Sequence, residues 1–294
     1  MGHSLAERYP AAREVYDLAD GWLGFSLSRL AWEGPEEMLN DTINTQPALM
    51  VHSVASLRVF QDLFPGFQPA FVAGHSMGEL SALVASGALP YQEALRLVRR
   101  RGELMKRAGV VSPGGMAAIL GLDLPALEEI CAQASTPGEV VQVANDNCPG
   151  QVVISGASAA LERAMALAQA AKARRVRPLA VSIAAHSPLM IDAQEDFARA
   201  VEAAPFQAPH TPIIGNVIAN TLNDAASIQA DLRAQLTSRV RWTESVQYMV
   251  SHGVNTFIEL GSGSVLSGLI KRIDRDVDTF TLGTPEEFEK LFHG

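Results

Sequence analysis

Two periodicities alternate along this chain of 294 residues. Apolar side chains recur every three to four positions from Ala11 to Trp22 and from Pro47 to Phe64, the second through Leu49, Val54, Leu57 and Phe60, and both spans are predicted as helices. Ala70-Phe71-Val72-Ala73 is a short unbroken apolar run that stops at Gly74, which reads as a strand. Helices are predicted from about Gly78 to Ser86 and from Tyr91 to Ala108.

The middle of the chain changes rhythm. Met116 to Leu120 reads as a strand, Pro125 to Ala134 as a helix, and Val140 to Ala144 and Val152 to Ser155 as strands joined by the turn-rich Asn145-Asp146-Asn147-Cys148-Pro149-Gly150. An Ala-rich helix from Ala159 to Ala173 and a strand from Val176 to Ile183 complete the order β-α-β-β-α-β, the ferredoxin-like arrangement. The expectation is a small ferredoxin-like domain over 114–183, inserted in a larger α/β domain made of 1–113 and 184–294. In that second part, helices are predicted to about Ala203, over Ile228 to Leu236 and over Thr243 to His252. A strand near Ile213 to Val217 and a buried strand from Thr256 to Leu260 accompany them. The latter turns through Gly261-Ser262-Gly263-Ser264 into a helix from Val265 to Ile273. That turn lacks the Gly-x-Gly-x-x-Gly spacing of a nucleotide site and needs no ligand to explain it.

Composition narrows the picture. The chain is 48% hydrophobic but only 6% aromatic, so Ala, Val, Leu and Ile must fill the core, as suits parallel strands covered by helices. With 23 basic against 32 acidic side chains the net charge is −9, which repels phosphate backbones and argues against nucleic acid as a partner. Two cysteines, Cys131 and Cys148, exclude a disulfide framework. No basic-then-apolar leader appears, and no apolar run approaches the roughly 20 residues that cross a bilayer. A cytoplasmic protein with no membrane association is expected.

Gly74-His75-Ser76-Met77-Gly78 stands between the apolar strand and a helix, the context of a nucleophile elbow. A turn so tight leaves no room for side chains at either glycine. It strains the Ser76 backbone and raises the hydroxyl above the sheet edge. The Met77 N–H, at the start of the helix, can stabilise an oxyanion. A serine hydroxyl needs a base, and the chain offers seven histidines. His3 and His293 are near the ends, His52 is within a helix, and His210 lies between prolines. His75 points away from its neighbour on a sharp turn, and His252 caps a helix. His186 remains, at the carboxyl end of Leu179-Ala180-Val181-Ser182-Ile183, where α/β sites form.

In the helix from Tyr91 to Ala108, steps of about 100° per residue put Arg101 at the centre of the apolar stripe, while Arg96, Arg99 and Arg100 face solvent. A buried guanidinium needs an anion. One candidate is an internal Asp or Glu; the other is a substrate carboxylate held by two parallel hydrogen bonds. Serine, histidine and buried arginine together suit an acyl group that carries its own acid, of which malonyl is the simplest.

These residues resemble malonyl-CoA:acyl carrier protein transacylases of fatty-acid and polyketide synthesis. The resemblance spans nearly the whole chain. It rests on Thr45-Gln46-Pro47-Ala48-Leu49, Gly74-His75-Ser76-Met77-Gly78-Glu79, Arg101-Gly102, Asn147-Cys148-Pro149-Gly150-Gln151-Val152-Val153-Ile154, His186-Ser187-Pro188-Leu189-Met190, Val240-Arg241-Trp242-Thr243 and Glu259-Leu260-Gly261. It implies a hydrolase-like large domain with a ferredoxin-like insert, Ser76 as nucleophile, His186 as base, and Arg101 on the malonyl carboxylate. It further implies that the Gln235 backbone carbonyl orients His186, which would explain the lack of an acidic triad member, and that Gln46 and Asn147 line the pocket. Malonyl-CoA and an acyl carrier protein are the implied partners, malonyl-CoA being a substrate, with no cofactor and no metal. Family members usually carry an apolar strand and a Gly-Gln-Gly-Ser-Gln loop ahead of the Met-Gly that opens this chain, and that loop supplies a second oxyanion donor. Its absence implies a start assigned too far downstream or an impaired homologue that binds carrier protein or coenzyme A. Because carrier proteins are acidic, a basic docking patch is expected at Lys172, Arg174, Arg175 and Arg177, or at Lys271, Arg272 and Arg275. A hydrolase using the same serine and histidine is the rival, and so is a transferase that charges the carrier subunit of malonate decarboxylase.

Overall fold

The structure is a computed structural model and describes residues 1–180 and 183–291. Five helices open the chain: α1 (His3–Arg8), α2 (Pro10–Leu23), α3 (Leu27–Glu33), α4 (Glu36–Asn40) and α5 (Thr42–Leu63). α5 begins five residues before the predicted start. Asp41 caps it by accepting the Ile43 N–H at 3.2 Å, and the proline inside it is tolerated for a visible reason. Pro47 has no N–H for the Ile43 carbonyl, and that carbonyl accepts from Arg99 Nη1 at 3.1 Å instead. Arg99 is thus a clamp between helices rather than part of a solvated face; Arg96 and Arg100 do face solvent.

Next come β1 (Val72–Ala73), α6 (Gly78–Ala85) and α7 (Tyr91–Val111). β2 (Gly114–Leu120), α8 (Leu124–Ala134), β3 (Val141–Cys148), β4 (Gln151–Ala157), α9 (Ser158–Ala170) and β5 (Arg175–Pro178) follow. Their sheet has the order β3-β4-β2-β5 with every pair antiparallel, the ferredoxin-like arrangement. It closes over its own apolar cluster, in which Ile119, Leu127, Ile130, Val143, Ile154 and Leu161 are buried.

Two expectations fail in this unit. The hairpin turn is only Pro149-Gly150, and Asn145, Asp146 and Asn147 belong to β3. β3 is bonded on both sides: to β4, through two register shifts, and to Val240, which donates to Ala144 O at 2.8 Å and accepts from Asp146 N at 3.0 Å. Ladder bonds on both edges override the turn preference of these side chains. β5 ends at Pro178 instead of running to Ile183, with one last bond to β2 from the Leu179 N–H to Met116 O at 2.9 Å. Of the remainder, Val181 and Ser182 lie outside the described residues.

The chain then forms α10 (Ile191–Ala203), β6 (Ile213–Ile214), β7 (Thr221–Leu222), α11 (Ala225–Gln235), α12 (Trp242–Ser251), β8 (Thr256–Leu260), α13 (Val265–Ile273), β9 (Asp278–Leu282) and α14 (Pro285–Lys290). β1 and β6 are parallel, β7 is antiparallel to β6, and β8 and β9 form a separate parallel pair. β8 is not the buried strand expected: it pairs along one edge among the described residues, and its side chains are exposed or half-exposed. β6 is shorter than predicted because residues 216–218 turn aside to present their N–H groups to Asp231. The main core gathers α2, α5, α6, α7 and α10, with Tyr16, Met50, Leu80, Leu95 and Phe197 buried in it. Among the described residues no helix is long and apolar enough to cross a membrane.

Candidate active site

β1 stops at Ala73, and the chain reverses into α6 within four residues. Ser76 sits at the apex with φ +53°, the strained left-handed conformation expected of an elbow. A Cβ on Gly74 would lie 2.0 Å from the Gly78 carbonyl oxygen, so only glycine fits there. Gly78 is different: a Cβ there meets nothing within 4 Å, so the expectation that both glycines are sterically required holds for Gly74 alone. Asn216, just past β6, braces the apex from the neighbouring strand. Its Oδ1 accepts the Ser76 N–H at 2.7 Å and its Nδ2 donates to Gly74 O at 2.8 Å. The Gly78 N–H is spent on His75 O, whereas the Met77 N–H has no partner among the described residues. It is a free donor at a helix start, beside the Ser76 hydroxyl.

His186 Nε2 lies 2.8 Å from Ser76 Oγ. Its Nδ1 faces two carbonyl oxygens, Gln235 O at 2.9 Å and Ser238 O at 3.1 Å. Two acceptors require a proton on Nδ1, which leaves Nε2 as the lone pair facing the hydroxyl. Among the described residues no carboxylate is bonded to the ring. His186 does not arrive on a strand that shares a sheet edge with Ser76, as expected. β5 belongs to the other sheet, and the histidine is delivered by the segment after it, with φ +58° and its carbonyl held by Gln142 Nε2 at 2.8 Å. Burial pushes its pKa down to about 3, helped by the Arg101 charge and opposed by the Gln235 carbonyl, so the ring is neutral at pH 7.

Arg101 is 2% exposed, as the apolar stripe of α7 predicts. Its partners are neutral oxygens: Gln46 Oε1 at 2.7 Å, Gln235 Oε1 at 3.0 Å and Ser76 Oγ at 3.0 Å, while Nε has none. Among the described residues no carboxylate is hydrogen-bonded to it. Burial lowers its pKa to about 10, so the guanidinium stays charged at pH 7. Gln46 is fixed in turn by donating to Thr42 Oγ1 at 2.8 Å. Asn147 does not touch the nucleophile; its Oδ1 pairs with His75 Nε2 at 2.8 Å, one residue away from it. Burial holds the His75 pKa down.

Of the sequence candidates, Ser76, Met77, His186, Arg101, Gln46 and the Gln235 carbonyl converge on one point. The pattern did not reveal Asn216, Ser238 or the part played by the Gln235 side chain. A polar residue straight after the apolar pair Ile213-Ile214 was the available signal for Asn216, since residues at the carboxyl ends of neighbouring parallel strands meet. Lys172, Arg174, Arg175, Arg177, Arg272 and Arg275 are exposed, and Lys271 is half-buried. Among the described residues no group of His, Cys, Asp and Glu could hold a metal ion.

A hydroxyl at a strained strand-to-helix turn, with an imidazole lone pair against it and a free N–H alongside, can form and release an ester. Such a site on an α/β fold defines an enzyme that transfers acyl groups through a serine. The chain belongs to the acyl transferase domain family, whose model matches residues 1–282. It is 44% identical to a malonyl CoA-acyl carrier protein transacylase of Bacillus subtilis over 289 residues, covering 98% of this chain and 90% of that protein. The solved malonyl CoA-acyl carrier protein transacylase of Coxiella burnetii superposes with a TM-score of 0.96 at 38% identity, covering 100% of this chain and 92% of that one. A malonyl-transacylase solved in complex with its type II polyketide acyl carrier protein gives a TM-score of 0.95 at 39% identity, covering 99% and 93%.

Proposed function

We propose that this chain moves a malonyl group from coenzyme A to the phosphopantetheine thiol of an acyl carrier protein through a malonyl-Ser76 ester. The observation that carries the reading is Arg101. A charged guanidinium, 2% exposed and with no carboxylate bonded to it among the described residues, lies 3.0 Å from the hydroxyl that His186 faces. A substrate carboxylate beside the scissile thioester supplies the missing anion.

His186 Nε2 takes the Ser76 proton as Oγ attacks the thioester carbonyl, and the Met77 N–H stabilises the oxyanion. When the C–S bond breaks, the imidazolium returns its proton to the coenzyme A sulfur, leaving malonyl-Ser76. The carrier-protein thiol then gives its proton to His186, attacks the ester and leaves with the malonyl group, and Ser76 regains its hydrogen. Neutral carbonyls behind Nδ1 select the tautomer, as the acid of a triad does, without adding a charge to the site. Gln46 and Gln235 orient the guanidinium.

The reading includes two domains, 114–183 inserted between 1–113 and 184–294, with the site at their junction. It needs no cofactor, since both half-reactions are proton and acyl transfers, and a cytoplasmic location goes with it. The exposed basic residues 172–177 and 272–275 suit an acidic carrier protein. Intact-mass measurement after mixing with malonyl-CoA is the test. One malonyl group should appear on the protein and none on Ser76→Ala; a wild-type protein that never gains it refutes the transfer.

A further inference from the structure

Behind the reacting groups two buried carboxyl groups meet. Glu79, the second residue of α6, has no exposure, and Asp231, within α11, is 3% exposed. The two carboxyl groups lie close enough to act on each other. Asp231 is surrounded by donors: the N–H groups of Asn216, Val217 and Ile218 reach it at 3.1, 3.2 and 3.1 Å. A Cβ on Gly215 would lie 2.7 Å from Asp231 Oδ1, so that glycine is what lets the carboxylate close on the turn. Glu79 accepts from Gln235 Nε2 at 2.7 Å and lies near the Asn216 N–H that Asp231 holds, and among the described residues no donor reaches its Oε1.

Two carboxylates in contact and out of water cannot both ionise. The one that accepts three N–H bonds keeps the charge, and the one with an empty oxygen carries the hydrogen. We infer that Glu79 is a protonated acid donating to an ionised Asp231, and that this pair is a positioning device for the malonyl-transfer site. This deepens the reading above and rests on it where substrate choice is concerned. Burial and the Asp231 charge hold the Glu79 carboxyl well above its ordinary range, in the direction the geometry requires.

The pair acts through two side chains. Arg101 has only donors, so the Gln235 amide must turn Oε1 toward it, and Nε2 must then find an acceptor, which Glu79 Oε2 provides. Asp231 fixes the 216–218 turn, and Asn216 from that turn grips the elbow at Ser76 and Gly74. One shared proton therefore ties the anion-binding arginine to the nucleophile without placing a net charge pair beside Arg101.

The test compares wild type with Glu79→Gln and Glu79→Leu at neutral pH. Glutamine reproduces the acid, with one donor for Asp231 and one acceptor for Gln235; leucine supplies neither. The carbonyl stretching band of a protonated carboxylic acid is expected in the infrared difference between wild type and Glu79→Gln. Glu79→Gln should keep the malonyl-over-acetyl ratio of kcat/KM within about threefold, and Glu79→Leu should lower it by roughly tenfold or more. Absence of the band, or a glutamine variant as impaired as the leucine variant, overturns the inference. The infrared comparison needs no turnover and remains decisive if Glu79→Leu fails to fold. It remains so too if wild type never takes up malonyl, an outcome that refutes the transfer reading and leaves the pair standing.

Discussion

Truncation of Arg101 to alanine separates what the guanidinium does for every substrate from what it does for a carboxylate. In the structure its N–H groups satisfy Gln46 Oε1, Gln235 Oε1 and Ser76 Oγ, all within a buried site. Losing those bonds harms malonyl and acetyl transfer alike, so that cost cancels in the ratio of specificity constants. The surviving difference is the charge-assisted contact with the malonyl carboxylate. Hydrogen bonds to charged groups contribute about 1.5–3 kcal/mol net, and the carboxylate also loses its counter-ion in a site screened from water. A loss of about 2–3 kcal/mol corresponds to a fall of roughly 30- to 150-fold in the malonyl-over-acetyl ratio of kcat/KM. Acetyl transfer has no carboxylate to lose, so the ratio should fall through the malonyl rate. Single-turnover loading of Ser76 from each acyl-CoA, followed by intact mass, measures both constants on one preparation, with circular dichroism confirming the fold. A ratio within about threefold of wild type would mean that the carboxylate is bound elsewhere, and the role of Arg101 would be lost with it.

Two further outcomes follow from the geometry. Gly74→Ala sets a methyl 2.0 Å from the Gly78 carbonyl and should lower stability by about 3 kcal/mol or more, whereas Gly78→Ala meets open space and should cost nothing or stabilise by up to ~1 kcal/mol. Thermal melts that rank the two variants the other way refute the account of the elbow. His186 is held neutral down to about pH 3 in the folded protein, while in the unfolded chain it protonates near its ordinary value of 6.5. Between those values the unfolded state binds a proton that the native state refuses, so this group's contribution to stability falls as pH drops, by about 1.4 kcal/mol per pH unit. Urea titrations at pH 6.5 and pH 5 should therefore show a loss about 1.6 kcal/mol larger for wild type than for His186→Gln, the slope being shallower near pH 6.5 where the unfolded ring is half protonated. Equal losses would show that the ring is not held neutral.

What could be read from the chain alone was whatever is encoded locally. The β-α-β-β-α-β unit was legible because each element carries its own periodicity and the elements pair with near neighbours. Arg101 was legible because a helix assigns faces by counting. Gly74-His75-Ser76-Met77-Gly78 was legible because a tight turn constrains adjacent residues. The Gln235 carbonyl and Gln46 came from resemblance to a family rather than from any local pattern. Tertiary structure decided the rest, wherever partners are far apart in sequence. Pro47 sits inside a helix because Arg99, 52 positions on, takes the carbonyl it leaves free. Asn145 to Asn147 join a strand because Val240 bonds its far side. Asn216 becomes a brace for the elbow, and Glu79 an acid rather than a counter-ion to Arg101, only because one distant helix, α11, brings Asp231 and Gln235 against them. Local sequence sets backbone preferences and side-chain direction; the charge state of a buried group and the partners of a backbone donor depend on everything that excludes water around them, and that is settled when the chain closes.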